Sequence, residues 1–202
     1  MDKIEVRKKP KQQRSKFMVE SILEASARLL KELPYDKFTT NKVADKAGIS
    51  VGSLYQYFPN KESILFELEK KEVNLMMEKV NSLLFEEKFT PLKRLYNALE
   101  YFFEAESAIY QIPIPFTSNH NEYSYQVSQM KESFHLFLKQ NSYIEEGENN
   151  FKADYLVTLI IGIVEQVSFR KDIQNPMPWL EITFDSVKNI LDKKDNVTIE
   201  WD

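Results

Sequence analysis

Between Thr39 and Lys61 the chain reads TTNKVADKAGISVGSLYQYFPNK. The polar side chains of this stretch suit two kinds of hydrogen bonding. Thr39, Thr40, Tyr55 and Lys61 have the donors and the reach to meet phosphate oxygens, contacts that fix register without reading sequence. Asn41, Lys42, Val51, Ser53 and Gln56 suit the edges of bases. Asn and Gln pair bidentately with adenine, and Val touches a thymine methyl. Gly52, having no Cβ, would let a helix start lie close to a nucleic-acid backbone.

Two short helices must position these groups. Thr40 stands where a helix N-cap is expected, and Val43, Ala44 and Ala47 supply the apolar face that follows. Gly48 is placed to take the left-handed conformation that ends a helix and turns the chain. Ile49 plugs the turn and Ser50 can cap a second helix. That helix turns Leu54 and Phe58 inward. Val51, Gly52, Ser53, Tyr55, Gln56 and Tyr57 then form an outward arc. This arrangement is a helix-turn-helix, whose second helix can enter a major groove.

The ordered string FTTNKVADKAGISVGSLYQYFPNKESIL resembles the DNA-binding signature of the TetR family of bacterial regulators, T-x-x-x-V/I-A-x-x-A-G-V/I-S-x-G-S-L-Y-x-Y-F-x-x-K-E-x-L. The likeness covers residues 15–68. It implies phosphate contacts for Thr40, Tyr55, Tyr57 and Lys61. It also implies a homodimer on a palindromic operator in double-stranded DNA, released by a small-molecule effector in a C-terminal pocket. Rival readings are a DNA-binding protein gated by a protein partner, and an architectural DNA binder with no effector.

Residues 1–61 hold 13 Lys/Arg against 7 Asp/Glu, a balance of +6, and the remainder carries −10. A basic head on an acidic body suits a nucleic-acid contact confined to one end. Only 4 Gly, with much Leu, Glu, Lys and Phe, favours an all-α chain. Absence of cysteine excludes disulfides and Cys-based metal sites and suits a cytoplasmic setting. The first apolar cluster, Phe17-Met18-Val19, is too short for a signal peptide, and the run 156–164 falls short of a membrane span. His120 and His135 are too far apart in sequence for a helical metal pair. No phosphate-cradling glycine motif or nucleophile elbow occurs, so no enzyme is expected and no cofactor is called for.

The expected layout is all-α: a basic disordered arm (1–15), a three-helix helix-turn-helix DNA-binding domain (16–62), a helical effector-binding and dimerisation domain (63–194) and a tail (195–202). The arm departs from the family's usual short N-terminus and suits phosphates or the minor groove. A bracing helix over 16–33 ends at Pro34, with Tyr35 and Phe38 packing beneath the reader. A connecting helix over 61–85 bears Ile64, Leu65, Leu68, Val73, Leu75, Met76, Val80, Leu83 and Leu84. Pro91 opens the next helix. A break follows at 112–115, then a polar loop at 119–121, a helix over 123–140 and an acidic exposed loop over 143–150.

By resemblance, the aromatic-rich region lines the ligand pocket, with Tyr96, Glu100, Phe103, Tyr110, Phe116, Met130 and Phe134 as candidates. Glu100 and Glu104, if inward, would favour a lipophilic cation. The last two helices, over 152–171 and 179–191, read as an antiparallel pair. Leu156, Ile160, Ile163, Val167, Phe184, Val187 and Leu191 would pair it with its copy in a second subunit.

Overall fold

A computed structural model describes residues 13–109, 120–144, 151–170, 173 and 175–192 of the chain. Its described elements are α1 (Gln13–Glu32), a 3-10 turn (Tyr35–Lys37), α2 (Thr40–Lys46), α3 (Val51–Tyr55), α4 (Lys61–Leu84), α5 (Pro91–Ile109), α6 (His120–Gln140), α7 (Phe151–Phe169) and α8 (Met177–Asp192). The expected all-α class holds. The chain divides into two compact units, and the division falls inside α4 between Asn74 and Leu75, rather than at its start.

In the first unit, which we call the head, α1 turns Ile22, Leu23, Ala25 and Leu29 inward at helical spacing. It begins at Gln13, so residues 13–15, expected in the arm, are helical; residues 1–12 lie outside the described set. Its last bond runs from the Leu33 N–H to the Leu29 carbonyl (2.9 Å), and Pro34 then leaves the helix at ψ 153°. Phe38, Val43, Leu54, Phe58, Ile64 and Leu65 are wholly buried and join α1, α2, α3 and the first turns of α4 around one core. Burying each stabilises the unit by about 1.5–3 kcal/mol.

In the second unit, the body, α5 packs on α7 and α8, and α6 on α7. Pro91 opens α5, as expected, with the Thr90 hydroxyl accepting from the Lys93 N–H (3.4 Å). Several boundaries differ from expectation. Helix α6 starts at His120, inside the segment expected to be a polar loop; the break at 112–115 lies outside the described residues. Its far end is closed by Ser142 at φ 59°, with the Tyr143 N–H donating to the Leu138 carbonyl (3.0 Å). That closure folds Ile144 back until it is 7% exposed, so the segment after Tyr143 is not exposed throughout. Helix α8 starts at Met177 because Asn175 Oδ1 accepts its N–H (3.0 Å), and Pro178 sits in a first turn that needs no donor. Leu75, expected on the apolar face of α4, is 48% exposed. No helix among the described residues is long and apolar enough to cross a membrane.

Candidate nucleic-acid interface

Thr39, not Thr40, caps α2. Its backbone is extended (φ −135°, ψ 151°) and its hydroxyl accepts from the Lys42 N–H at 3.4 Å. Thr40 is thereby the first helical residue, and its hydroxyl lies 3.1 Å from the Tyr55 hydroxyl of α3. Two side chains assigned to phosphate are thus joined to each other before any DNA arrives. Either oxygen can donate in this bond, and the other hydroxyl proton is left for an outside acceptor.

Gly48 has φ 67°, and its turn is closed by the Ile49 N–H donating to the Ala44 carbonyl (3.0 Å). Ile49 packs against the head core, as its role of plug requires. Ser50 caps α3, accepting from the Ser53 N–H at 3.0 Å, with the two hydroxyls 2.8 Å apart. Ser53, expected to read bases, therefore has its hydroxyl engaged with the cap. Asn41, Lys42, Gly52, Tyr55 and Gln56 are exposed, and Val51 is half-buried against the core.

Tyr57 is the clear exception on the outward arc. It is 9% exposed and belongs to the core cluster. Helix α3 ends at Tyr55, and the N–H groups of Tyr57 and Phe58 both donate to the Leu54 carbonyl (2.9 and 3.0 Å), so the chain tightens and carries Tyr57 inward.

Two fastenings had no signal in local spacing. Lys46 Nζ lies 2.8 and 2.9 Å from the two Glu32 carboxylate oxygens, tying α2 to α1 across 14 positions of sequence. Lys61 Nζ sits 4.1 Å from the centroid of the Tyr35 ring. Helix α4 itself is started by Asn60, whose Oδ1 accepts from the Ser63 N–H (2.8 Å), while the buried Ser63 hydroxyl donates to the Asn60 carbonyl (2.8 Å).

The body holds a small cavity of about 30 Å³ lined by residues of α4, α5, α6 and α7, among them Val80, Leu99, Phe102, Met130, Phe134 and Val157. Of the seven expected pocket residues, Met130 and Phe134 line it. Tyr110 and Phe116 lie outside the described side chains. Phe103 is 1% exposed in the surrounding core and does not reach the cavity. Tyr96 instead packs edge-on against Phe184 (5.1 Å) and donates to Glu181 Oε1 (2.7 Å). Glu100 is half-buried without lining the cavity, and Glu104 is exposed, so neither makes the cavity acidic. Among the described residues, no three of His, Asp or Glu gather to hold a metal ion.

Five residues of the expected dimerisation set are already buried within one chain. Leu156, Ile160, Val167, Val187 and Leu191 are at most 5% exposed within a single chain, and Ile163 and Phe184 are half-buried. These faces of α7 and α8 are used by the body's own core. The residues exposed on α7 include Phe151, Tyr155, Thr158, Gly162 and Gln166, and those on α8 include Met177, Trp179, Glu181, Ile182, Asp185 and Asn189.

An all-α chain with a capped helix-turn-helix at its basic end falls in the class of helix-turn-helix DNA-binding proteins. Residues 22–68 match the family model described as bacterial regulatory proteins, tetR family. It is similar to the fatty acid metabolism regulator protein of Bacillus subtilis, 36% identical over 70 residues, 35% of this chain and 35% of that protein. It is also similar to the nucleoid occlusion factor SlmA of Idiomarina loihiensis, 33% identical over 81 residues, 40% of this chain and 41% of that one. These matches span little more than a third of the relatives' own length.

Whole-fold likeness extends further. A TetR-family regulator from Mesorhizobium loti aligns with a TM-score of 0.65 at 17% identity over 89% of this chain and 98% of that one. Thermus thermophilus FadR, solved in complex with lauroyl-CoA, aligns with a TM-score of 0.58 at 15% identity, over 91% of this chain and 100% of that one.

Proposed function

We propose that the chain is a cytoplasmic transcriptional repressor that binds a palindromic operator as a homodimer and leaves it when a small molecule occupies the body cavity. The observation that carries this reading is the head: a capped helix-turn-helix with Asn41, Lys42, Tyr55 and Gln56 exposed on a unit whose sequence is net basic. Phosphate contacts fall to Thr39, Thr40, Tyr55 and Lys61, and base contacts to Asn41, Lys42, Val51 and Gln56. A two-fold operator requires two heads, and the exposed stripe of Tyr155, Gly162, Trp179 and Ile182 on α7 and α8 is the face offered to a second copy.

The effector we assign is an acyl chain rather than a lipophilic cation. The cavity lining is apolar apart from Asn81 and Ser133 and carries no charge. The likeness to a fatty acid metabolism regulator and to a FadR that holds lauroyl-CoA supports the same chemistry. At about 30 Å³ the cavity has room for about a water molecule, so an acyl chain must select or induce a wider body. Release follows if that wider state grips DNA less well.

Retardation of DNA from upstream of the chain's own gene, beside a scrambled duplex, tests both parts. Selective retention, reversed by long-chain acyl-CoA and not by free CoA, is the expected result. Equal weak binding to both duplexes would overturn the repressor reading in favour of an architectural binder.

A further inference from the structure

We propose that Tyr35 is a positioning residue for DNA binding: its ring holds the Lys61 ammonium in place, without neutralising it, for a backbone phosphate. The assignment rests on the DNA-binding reading above and adds to it a residue outside the helix-turn-helix string.

Two lysines of the head make the case by contrast. Lys46 is clamped by both carboxylate oxygens of Glu32 at 2.8 and 2.9 Å, and its charge is answered. Lys61 has an aromatic ring as its partner, 4.1 Å from Nζ to the Tyr35 centroid, and none of the ion pairs among the described residues includes it. A ring attracts a cation through its quadrupole but carries no net charge. The ammonium therefore keeps its whole charge, and its donors on the side away from the ring stay available to an acceptor.

The place of Lys61 in the chain argues the same way. It is the first residue of α4, where the helix dipole favours anions and disfavours cations. Local stability would put an acidic residue there. A lysine held at that point by an aromatic face suits an anion that comes from outside, since the ammonium and the dipole then act on it together.

Tyr35 is itself well fixed. It opens the 3-10 turn closed by the Lys37 N–H on the Pro34 carbonyl (2.9 Å) and the Phe38 N–H on the Tyr35 carbonyl (3.0 Å). Phe38 is wholly buried and Tyr35 packs partly on the same core. The core thus sets the ring, and the ring restrains the four-carbon stem of Lys61. Part of the ordering entropy of a phosphate contact is then spent on folding rather than on binding.

Because phosphate contacts are sequence-independent, labelled mixed-sequence duplex DNA is the probe, read by anisotropy with the full chain across a salt series. Lys61→Gln should flatten the slope of log K against log salt by about 0.9, the share of one neutralised phosphate. Tyr35→Leu should weaken binding about three- to tenfold at low salt and flatten the slope in the same direction. Tyr35→Phe, which keeps the ring, should bind as the parent does. Adding Tyr35→Leu to Lys61→Gln should cost nothing further.

A full slope in Tyr35→Leu, equal losses in Tyr35→Phe and Tyr35→Leu, or additive losses in the double variant would each overturn the role. Should Tyr35→Leu not fold, proton NMR of the DNA-free parent decides. An upfield ring-current shift of the Lys61 ε-methylene is expected, and a random-coil shift would overturn the proposal. If the parent shows no salt-dependent binding to duplex DNA, the DNA reading falls and this role with it. If the parent binds and only the variant series fails, the positioning role alone falls.

Discussion

Gly48 in the head and Gly162 in the body are both exposed, and a Cβ on either would meet nothing within 4 Å. Only Gly48 has a positive φ, 67°, and it ends a helix; Gly162 lies inside α7. The contrast runs through the two units. In the head, single residues dictate the path of the chain: Thr39 and Ser50 as caps, Gly48 as the turn, Glu32 with Lys46 as the clamp. In the body the helices are defined by apolar faces, and an apolar face can be built from many residue types. This accounts for how likeness to other proteins is spread: the family model matches residues 22–68, while structures align over about nine-tenths of the chain at only 15% and 17% identity.

The comparison is broken most forcefully at the head core. Phe58→Ala removes a wholly buried ring and should destabilise the head by about 3–5 kcal/mol, abolishing DNA retention. With Trp201→Phe as background, the remaining tryptophan, Trp179 of α8, reports the body by its fluorescence. A denaturation curve of this variant should show the tryptophan transition unmoved while the head melts early. A tryptophan midpoint that falls with the head would mean the two units unfold together.

The two glycines sharpen the contrast at smaller scale. Gly48→Ala should destabilise by about 1–2 kcal/mol, because alanine must then hold a left-handed conformation. Gly162→Ala should stabilise the monomer by about 0.5–1 kcal/mol, through helix propensity in open space. The same methyl should weaken self-association if α7 faces a second copy. Thermal melts beside sedimentation at several concentrations separate the two effects, and equal signs for the two glycines would sink the contrast.

The smallest effect is one of pH. Hydrogen bonding to Glu181, with burial and the nearby Glu181 and Glu100 charges, pushes the Tyr96 hydroxyl up to about 12. The unfolded chain releases that proton near pH 10. The contribution is therefore fully present below about pH 10 and lost as pH rises towards about 12. Tyr96→Phe should remove this loss from the difference between variant and parent denaturation midpoints, while changing little near neutrality, since the bond is solvent-exposed. An unchanged slope over that window would show that the hydroxyl does not hold its proton against Glu181.

Legibility in the sequence followed the same division. Gly48, Ser50, Pro34 and Pro91 announced their roles because each role admits few residue types. The Thr39–Thr40 pair did not, since two adjacent threonines cap equally well on paper and only the backbone turn distinguishes them. Tyr57 escapes the sequence pattern because continuing α3 at helical spacing carries it outward, whereas the chain tightens after Tyr55. The apolar residues of α7 and α8 were legible as buried but not as to what buries them: one chain's core and a two-chain interface have the same composition. Tyr96 and Phe103 suffered the same ambiguity, and aromatic density pointed to a region without telling lining from packing. The Lys61–Tyr35 contact needed the fold, being a pairing across 26 positions of sequence.

The cavity's size has a consequence for time as well as space. A void of about 30 Å³ cannot admit an acyl chain at the rate at which the two collide. If the proposed acyl effector enters only a widened body, the observed rate should climb with concentration and then level off at the widening rate. Such a plateau would make the body a low-pass filter for the proposed effector, deaf to brief pulses and responsive to sustained ones.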